Sequence, residues 1–500
     1  MRRPNPSRKP ARRRALPLGC WLWAVGCTPL PAGPAEPTAA PSPTSAAPLG
    51  AAPAPEVASA VSVANGPAVP GPSAELVDDG EPVYTPEIQA ARAAARARLL
   101  PGSPSGEPGK FLPIENEAAL EHFHRALERL AAGQDADGKV RITAYGASHT
   151  QAGYYTSYLR HYLQQRFGNG GQGFLPAARI NDYYRDPDYH VWSRGGQAEY
   201  VKPGEYPKHG RFGLMGVAIV AESNEDFGRV LPRNNKETAL QADRFELFYA
   251  AEPGGGDLFF SVNWKPVRLP TDAAHPEPRY HTIETPELGW HQAQVAPVGG
   301  DEEGPIRVFG IAVERSTPGV VVDTLGINGA RAAYALKWDQ ALWREHLERR
   351  QPDLYTLAFG TNEAVDVREP IETYEKNLRR VLGRFRQAVP EASCLLIGPG
   401  DFPEKRRGAW QTRARLLKVI AVQRRLAPEF ACGFWDTFEF MGGEGSMVEW
   451  VAAKPPLAAS DHIHFTPHGY VEMGMALGDA LMRRYDAQRV DPASATVWGY

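Results

Sequence analysis

The sequence predicts an α/β fold built on a parallel sheet and interrupted by an all-β sandwich. Three observations carry this reading. From about residue 85 to 175, and again after Pro318, short apolar strands alternate with helical patterns. Between Pro176 and Pro318, strand-like runs follow one another and no good amphipathic helix intervenes. Several strands of the α/β part end in polar or glycine-rich clusters, as expected at the carboxyl edge of an open parallel sheet.

Five hundred residues exceed one ordinary domain, so two or more compact units are expected. The formal charge of −3 includes seven positive and no acidic residues in positions 1–26, leaving −10 for the remainder. That balance argues against a surface built for nucleic acid or an anionic membrane. The N-terminus reads as an export signal, residues 1–27. Arginines precede the short apolar run "ALPLGCWLWAVG", which is too short to span a bilayer. Residues 28–84, rich in Ala, Pro, Ser and Gly, have little to bury and read as a disordered tether.

The first helix is expected in "TPEIQAARAAARARLLPG", with Thr85 as cap, Pro86 at the first helical position and Pro101-Gly102 as the stop. A second carries Leu120, Phe123, Leu127 and Leu130 on one face and ends near Gly133. "KVRITAYGAS" then reads as a strand and "YYTSYLRHYLQQRFG" as a helix, so Ser148 falls at a strand-to-helix turn. In residues 176–318, "RFGLMGVAIVA", "DRFELFYAA", "GDLFFSVNW" and "IRVFGIAVER" read as strands, with "EPGGG" as a hairpin turn. Residues 319–487 restore the α/β pattern, with strands in "GVVVDTLG", "DLYTLAFG", "SCLLIGPG" and "ACGFWDTF". Helices are expected near "RAAYALKWDQALWREHLERR", in "IETYEKNLRRVLGRFRQAV" and in "HGYVEMGMALGDALMRRYDA"; residues 488–500 are a tail. Cys394 and Cys432 each begin a buried strand. Export permits a bridge, but buried free cysteine is a common small hydrophobe, and that is the reading preferred here.

The strand ends collect a chemically coherent set. A serine hydroxyl needs a base, and His464 in "DHIHFTPHGY" can serve Ser148. Asp461, three residues earlier, can fix the imidazole tautomer. An oxyanion would need donors, and the N–H groups of Ser148 and Gly329 and the side-chain amide of Asn362 can supply them. Singly, each residue has a plainer reading: Ser148 as a helix cap, Gly329 as a turn, Asn362 as a loop residue. Asp461, His462, His464 and His468 together also allow a metal site.

The blocks "GAS" at Gly146–Ser148, "GINGA" at Gly326–Ala330, "GTNE" at Gly360–Glu363 and "DHIH" at Asp461–His464 resemble those of the SGNH (GDSL-type) hydrolase superfamily. The resemblance covers about Lys139–Phe167 and Val320–Tyr485. It implies a flavodoxin-like three-layer α/β sandwich and a serine esterase needing no metal or cofactor. It implies Ser148 as nucleophile, His464 as base, Asp461 as its orienter, and an oxyanion hole of Ser148, Gly329 and Asn362. The aspartate usual before the serine is Ala147 here, and Thr150 rules out the G-x-S-x-G elbow of ordinary α/β-hydrolases. The longer stretch "GASHTQAGYYTSYLRHYLQQRFGNGGQGF" is similar to extracytoplasmic bacterial enzymes on polysaccharides, among them peptidoglycan O-acetylesterases with a carbohydrate-binding-like sandwich. That implies removal of O-acetyl groups from a cell-wall or other glycan. The same triad would serve an O-acetyltransferase, and an inactive fold would leave a glycan-binding module. "AVGC", ending at Cys27, resembles a lipoprotein lipidation site, with Cys20 second; this implies a periplasmic or cell-surface protein held to the membrane by a lipid. His149 either contacts substrate or orients the loop, with the structural role preferred. Trp264 and Trp290 either stack on sugar rings or, as preferred, join the sandwich core.

Overall fold

The computed structural model describes residues 80–102, 111–202, 204, 209–299 and 304–489. The export signal, Cys20, Cys27, nearly all of the tether and most of the C-terminal tail lie outside the described residues.

A five-stranded parallel sheet organises the α/β part. Its strands, in chain order, are β1 (Lys139–Gly146), β2 (Gly319–Gly326), β3 (Leu354–Ala358), β4 (Ser393–Ile397) and β5 (Gly433–Trp435). They lie side by side as β2-β1-β3-β4-β5, the flavodoxin-like order. Helices α1 (Pro86–Leu99), α2 (Glu121–Ala131), α3 (Tyr154–Phe167), α4 (Gln340–Arg350), α5 (Ile371–Ala388), α6 (Ala414–Glu429) and α7 (Pro467–Ala487) complete this part. Val140, Ile142, Val320, Val322, Leu395 and Ile397 share a core with α1, α2, α3 and α7. The alternate residues Tyr145, Leu325, Tyr355, Leu357 and Leu396 join the core formed with α4, α5 and α6. Both faces are therefore covered, and the strands read as near-continuous apolar runs.

Local signals place most helices where expected. Thr85 Oγ1 accepts the Ile88 N–H at 3.3 Å and caps α1, with Pro86 at its first position. Thr466 caps α7 in the same way, with Pro467 following. The helix expected around residues 331–350 is instead split. A 3₁₀ segment covers Ala332–Lys337, and Asp339 caps α4 through the Leu342 N–H at 2.9 Å. Helix α3 is buried well beyond its expected face, from Tyr155 to Gln164. Its polar positions are absorbed by partners distant in sequence: Arg160 and His161 bind Asp188 at 3.0 and 2.8 Å.

Two antiparallel sheets make the sandwich. The first runs Glu277–Gly289, Ala242–Ala251, Ile306–Glu314, Val217–Ala221, Gln197–Tyr200, and Gly171–Leu175 also pairs with Ile306–Glu314. The second runs Tyr189–Arg194, Phe227–Pro232, Ala293–Pro297, Asp257–Val262, Lys265–Pro270. The hairpin expected at "EPGGG" does not form. Both edges of Ala242–Ala251 are already paired, so the following strand crosses to the other sheet. Trp264 and Trp290 are not core residues. Trp264 is 61% exposed under the Arg229 guanidinium, and Trp290 donates its indole N–H to the Glu237 carbonyl. Both sit where strands end, so neither reaches the space between the sheets.

Two long-range features bind these parts. Cys394 and Cys432 form a disulfide, contrary to the preference for free thiols; the parallel pairing of β4 and β5 leaves their Cα atoms 4.5 Å apart. A buried charge network joins the sandwich to the sheet. Arg350 of α4 holds both carboxylate oxygens of Asp323 in β2 (2.9 and 3.0 Å) and Glu314 of the sandwich (2.8 Å). Asp323 also accepts the Phe174 N–H at 2.8 Å.

Burial alone would raise the Glu314 carboxyl, but Arg350 and Arg141 outweigh it and hold it down at about 2. A depressed carboxyl contributes stability above its unfolded value, near 4.3, and loses it as the pH falls towards 2. Stability against denaturant should therefore decline between about pH 5 and 2, and Glu314→Gln should flatten that decline. Arg350→Ala, which takes the arginine from buried Asp323 and leaves Glu314 its weaker contact with Arg141, should cost about 3–5 kcal/mol in the same measurement.

Candidate active site

The register of β1 assembles the site. Gly146, its last residue, lies level with Gly326 of β2 and Ala358 of β3. The three chains therefore leave the sheet side by side, carrying Ser148, Gly329 and Asn362. Ser148 opens a single helical turn, Ser148–Gln151, whose first N–H groups have no partner within the turn. This turn rests directly on β2, and a Cβ at Gly326 would stand 2.1 Å from the Gln151 nitrogen, so only glycine fits there.

His464 reaches this edge from the loop before α7. Its Nε2 lies 2.9 Å from Ser148 Oγ, and its Nδ1 lies 2.7 Å from Asp461 Oδ2. The loop is shaped locally. Asp461 Oδ1 accepts the N–H groups of Ile463 and His464, both at 3.0 Å, and the Ala459 N–H closes on the His464 carbonyl at 2.8 Å. Half-burial would raise the Asp461 carboxyl, but the His464 ring and these N–H donors outweigh it and hold it at about 2. Asp461 is thus ionised at any ordinary pH and favours the tautomer with the proton on Nδ1, which leaves Nε2 free to accept.

The oxyanion candidates come from two tied loops. Gly329 takes φ +75°, and no atom lies within 4 Å of where its Cβ would be, so its backbone borders open space. The Asn362 side chain donates one amide hydrogen to the Ala330 carbonyl at 2.9 Å, which fixes the amide and leaves its second hydrogen to point elsewhere.

Four residues missed by sequence reading hold these loops together. Buried Glu363 accepts the Ala332 N–H (2.8 Å) with one oxygen and the Gly360 N–H (3.0 Å) with the other. Burial raises its carboxyl, and these donors offset part of the rise. Gln151 Oε1 accepts the Asn328 N–H at 2.9 Å, and Asp366 pairs with both arms of Arg331. Only Glu363 had a signal, since it directly follows Asn362 in "GTNE".

His149 is half-buried beside His464, with 5.6 Å between ring centroids, and its Nδ1 lies 3.2 Å from the Tyr470 hydroxyl. Burial first and His464 second push it down to about 3, so it stays neutral. A neutral ring there supports the loop without opposing a cation on His464. The metal alternative loses His462, which stacks on Trp410 at 4.0 Å. Among the described residues, no group of three or more His, Cys, Asp or Glu converges as a metal site.

This arrangement has the parts for acyl transfer: a serine, a base aligned on it, an ionised orienter and candidate donors on one sheet edge. Residues 293–471, which include Gly329, Asn362, Asp461 and His464 but not Ser148, match the GDSL-like Lipase/Acylhydrolase family. Over this segment the chain resembles the acylhydrolases of that family, which act on carboxylic esters. The fold also matches a solved structure described as a peptidoglycan O-acetylesterase in action, with 24% identity and a TM-score of 0.61, over 75% of this chain and 99% of that one. A family two carbohydrate esterase from Cellvibrio japonicus matches at 11% identity over 60% of this chain and 100% of that one, but at a TM-score of 0.25 it carries no architectural weight. No curated protein matches the sequence.

Asn362→Ala should lower kcat on a small ester by about 10²–10³, the cost of one oxyanion donor. Glu363→Gln replaces an acceptor by an NH₂ facing a backbone N–H. It should lower kcat more than it raises KM, with a stability loss of about 1–3 kcal/mol read from denaturant unfolding.

Proposed function

We propose that this protein is an extracytoplasmic serine esterase that removes O-acetyl groups from a polysaccharide. The hydrogen-bonded chain Ser148–His464–Asp461 carries the reading. Ser148 Oγ attacks the acetyl carbon while His464 Nε2 takes its proton. The oxygen that becomes negative is met by the N–H groups of Ser148 and Gly329 and by the Asn362 amide. Collapse breaks the bond to the sugar oxygen, which leaves with the proton from His464. Water then attacks the acyl-enzyme, His464 again takes the proton, and acetate leaves as Ser148 Oγ is reprotonated. Asp461 keeps the imidazole oriented and stabilises its cationic form throughout.

Export is supported by the arginine-led apolar N-terminus, by "AVGC" before a Cys27 available for lipidation, and by the Cys394–Cys432 bridge, which persists in oxidising compartments. The sandwich, taken as residues 176–318 inserted between hydrolase segments 85–175 and 319–487, is the part suited to holding a glycan. Peptidoglycan, named for the structural relative, is the first substrate to try.

Wild type should release acetate from O-acetylated peptidoglycan or another acetylated glycan, and Ser148→Ala should not. Equal release by both would overturn the assignment. Acetyl groups recovered on an added oligosaccharide instead of as free acetate would make the protein a transferase.

A further inference from the structure

A recess open to solvent lies between the loop after Gly171–Leu175 and the second sheet of the sandwich. Arg179, Arg185 and Arg233 line it, together with Trp192, Tyr184 and His190. All three arginines are exposed, and none forms an ion pair with a carboxylate among the described residues. Two are held by backbone carbonyls. Arg185 donates to those of Asp182 (2.8 Å) and Tyr184 (2.7 Å), and Arg233 donates to that of Asp186 (2.6 Å). The acid lining the recess, Asp186, is buried and engaged by the Gln172 amide and by the N–H groups of Asp188 and Tyr189. Three guanidinium groups, none of them ion-paired, therefore share one concavity with the single carboxylate of Asp186, on a chain that is acidic overall beyond residue 26.

The recess also offers an apolar surface. Trp192 is 55% exposed, with His190 packed edge-on against it at 6.3 Å. Its location ties it to the site. Asn181, in the same loop, donates to Gln151 Oε1 at 3.4 Å, within the turn that carries Ser148. Pro187 and the Arg185 carbonyl pack against Gly153 at the start of α3.

We infer that this recess is a subsite for an acidic saccharide, with a sugar ring on Trp192 and its carboxylate or phosphate among Arg179, Arg185 and Arg233. Guanidinium groups match either anion, and an aromatic face with few polar groups is the usual make-up of such a site. This rests on the esterase reading: the subsite would hold one unit of the glycan while another presents its acetyl ester to Ser148.

Direct binding tests the inference apart from catalysis. Full-length protein is titrated with tetragalacturonate for carboxylate, maltotetraose phosphate for phosphate, and cellotetraose as the neutral probe. At least one acidic probe should bind tenfold or more tightly than cellotetraose, and the better of the two identifies the anion. Arg179→Glu, at a side chain with no hydrogen bond or ion pair among the described residues, should abolish that preference, and so should Arg179→Gln combined with Arg233→Gln. Trp192→Ala should weaken the acidic probe at least fivefold. Equal binding of all three probes, or a preference that survives Arg179→Glu in a folded protein, overturns the inference. Acidic binding without acetate release from any glycan leaves the subsite standing and removes the esterase reading. Acetate release without acidic preference does the reverse.

Discussion

The register of β1 against its two neighbours is the constraint on which this site depends. Gly146 ends level with Gly326 and Ala358, so three loops far apart in sequence leave the sheet at one height. Strands advance about 3.3 Å per residue, and a slip of one residue also turns every side chain to the other face. Either displacement would separate Ser148 from the loops of Gly329 and Asn362. The alternating burial of β1 towards two different cores makes such a slip expensive, because it would exchange Ile142 and Tyr145 between dissimilar surroundings.

The same register has to survive a long interruption. After α3 the chain builds a sandwich before returning as β2, the strand beside β1. Arg350 makes this possible by gripping Asp323 of β2 and Glu314 of the sandwich's long strand together. Buried charges are costly alone, and here each finds a well-placed opposite. The strand Gly171–Leu175 adds a direct seam: it pairs within the sandwich, while its Phe174 N–H bonds to Asp323 of the parallel sheet. The two parts thus share backbone as well as side chains.

Around the serine, the electrostatics divide the labour between two histidines. His464 is partly exposed and faces an ionised Asp461, whereas His149, one residue from Ser148, is kept neutral by burial and by His464 itself. Ala147 offers no charge where an aspartate is usual in such blocks. The triad does not need one: every link from Ser148 through His464 to Asp461 is made without it. Support for the oxyanion loops comes from Glu363, Gln151 and the Arg331–Asp366 pair instead.

Much was legible because it was local or periodic. Strand-helix alternation, the cap at Thr85 and the four short blocks each lie within a few residues, and chain order then named Ser148, Gly329, Asn362, Asp461 and His464 as a set. Apart from the helix split at Asp339, the main misreadings share one cause, since their outcome was set by partners distant in sequence. "EPGGG" looked like a hairpin because its flanks are strands, but which sheet each strand joins depends on edges occupied by Glu277–Gly289 and Ile306–Glu314. Cys394 and Cys432 looked like separate small hydrophobes until the pairing of β4 with β5 brought them together. Glu363 and Gln151 act on backbone donors, which have no identity in a sequence. The sequence by itself determined the fold class and the candidate site residues, because periodicity and side-chain chemistry are properties of the chain. Only the tertiary structure decided which loops face one another, which charges are buried together and where three arginines share one recess, because those depend on register and packing between segments far apart.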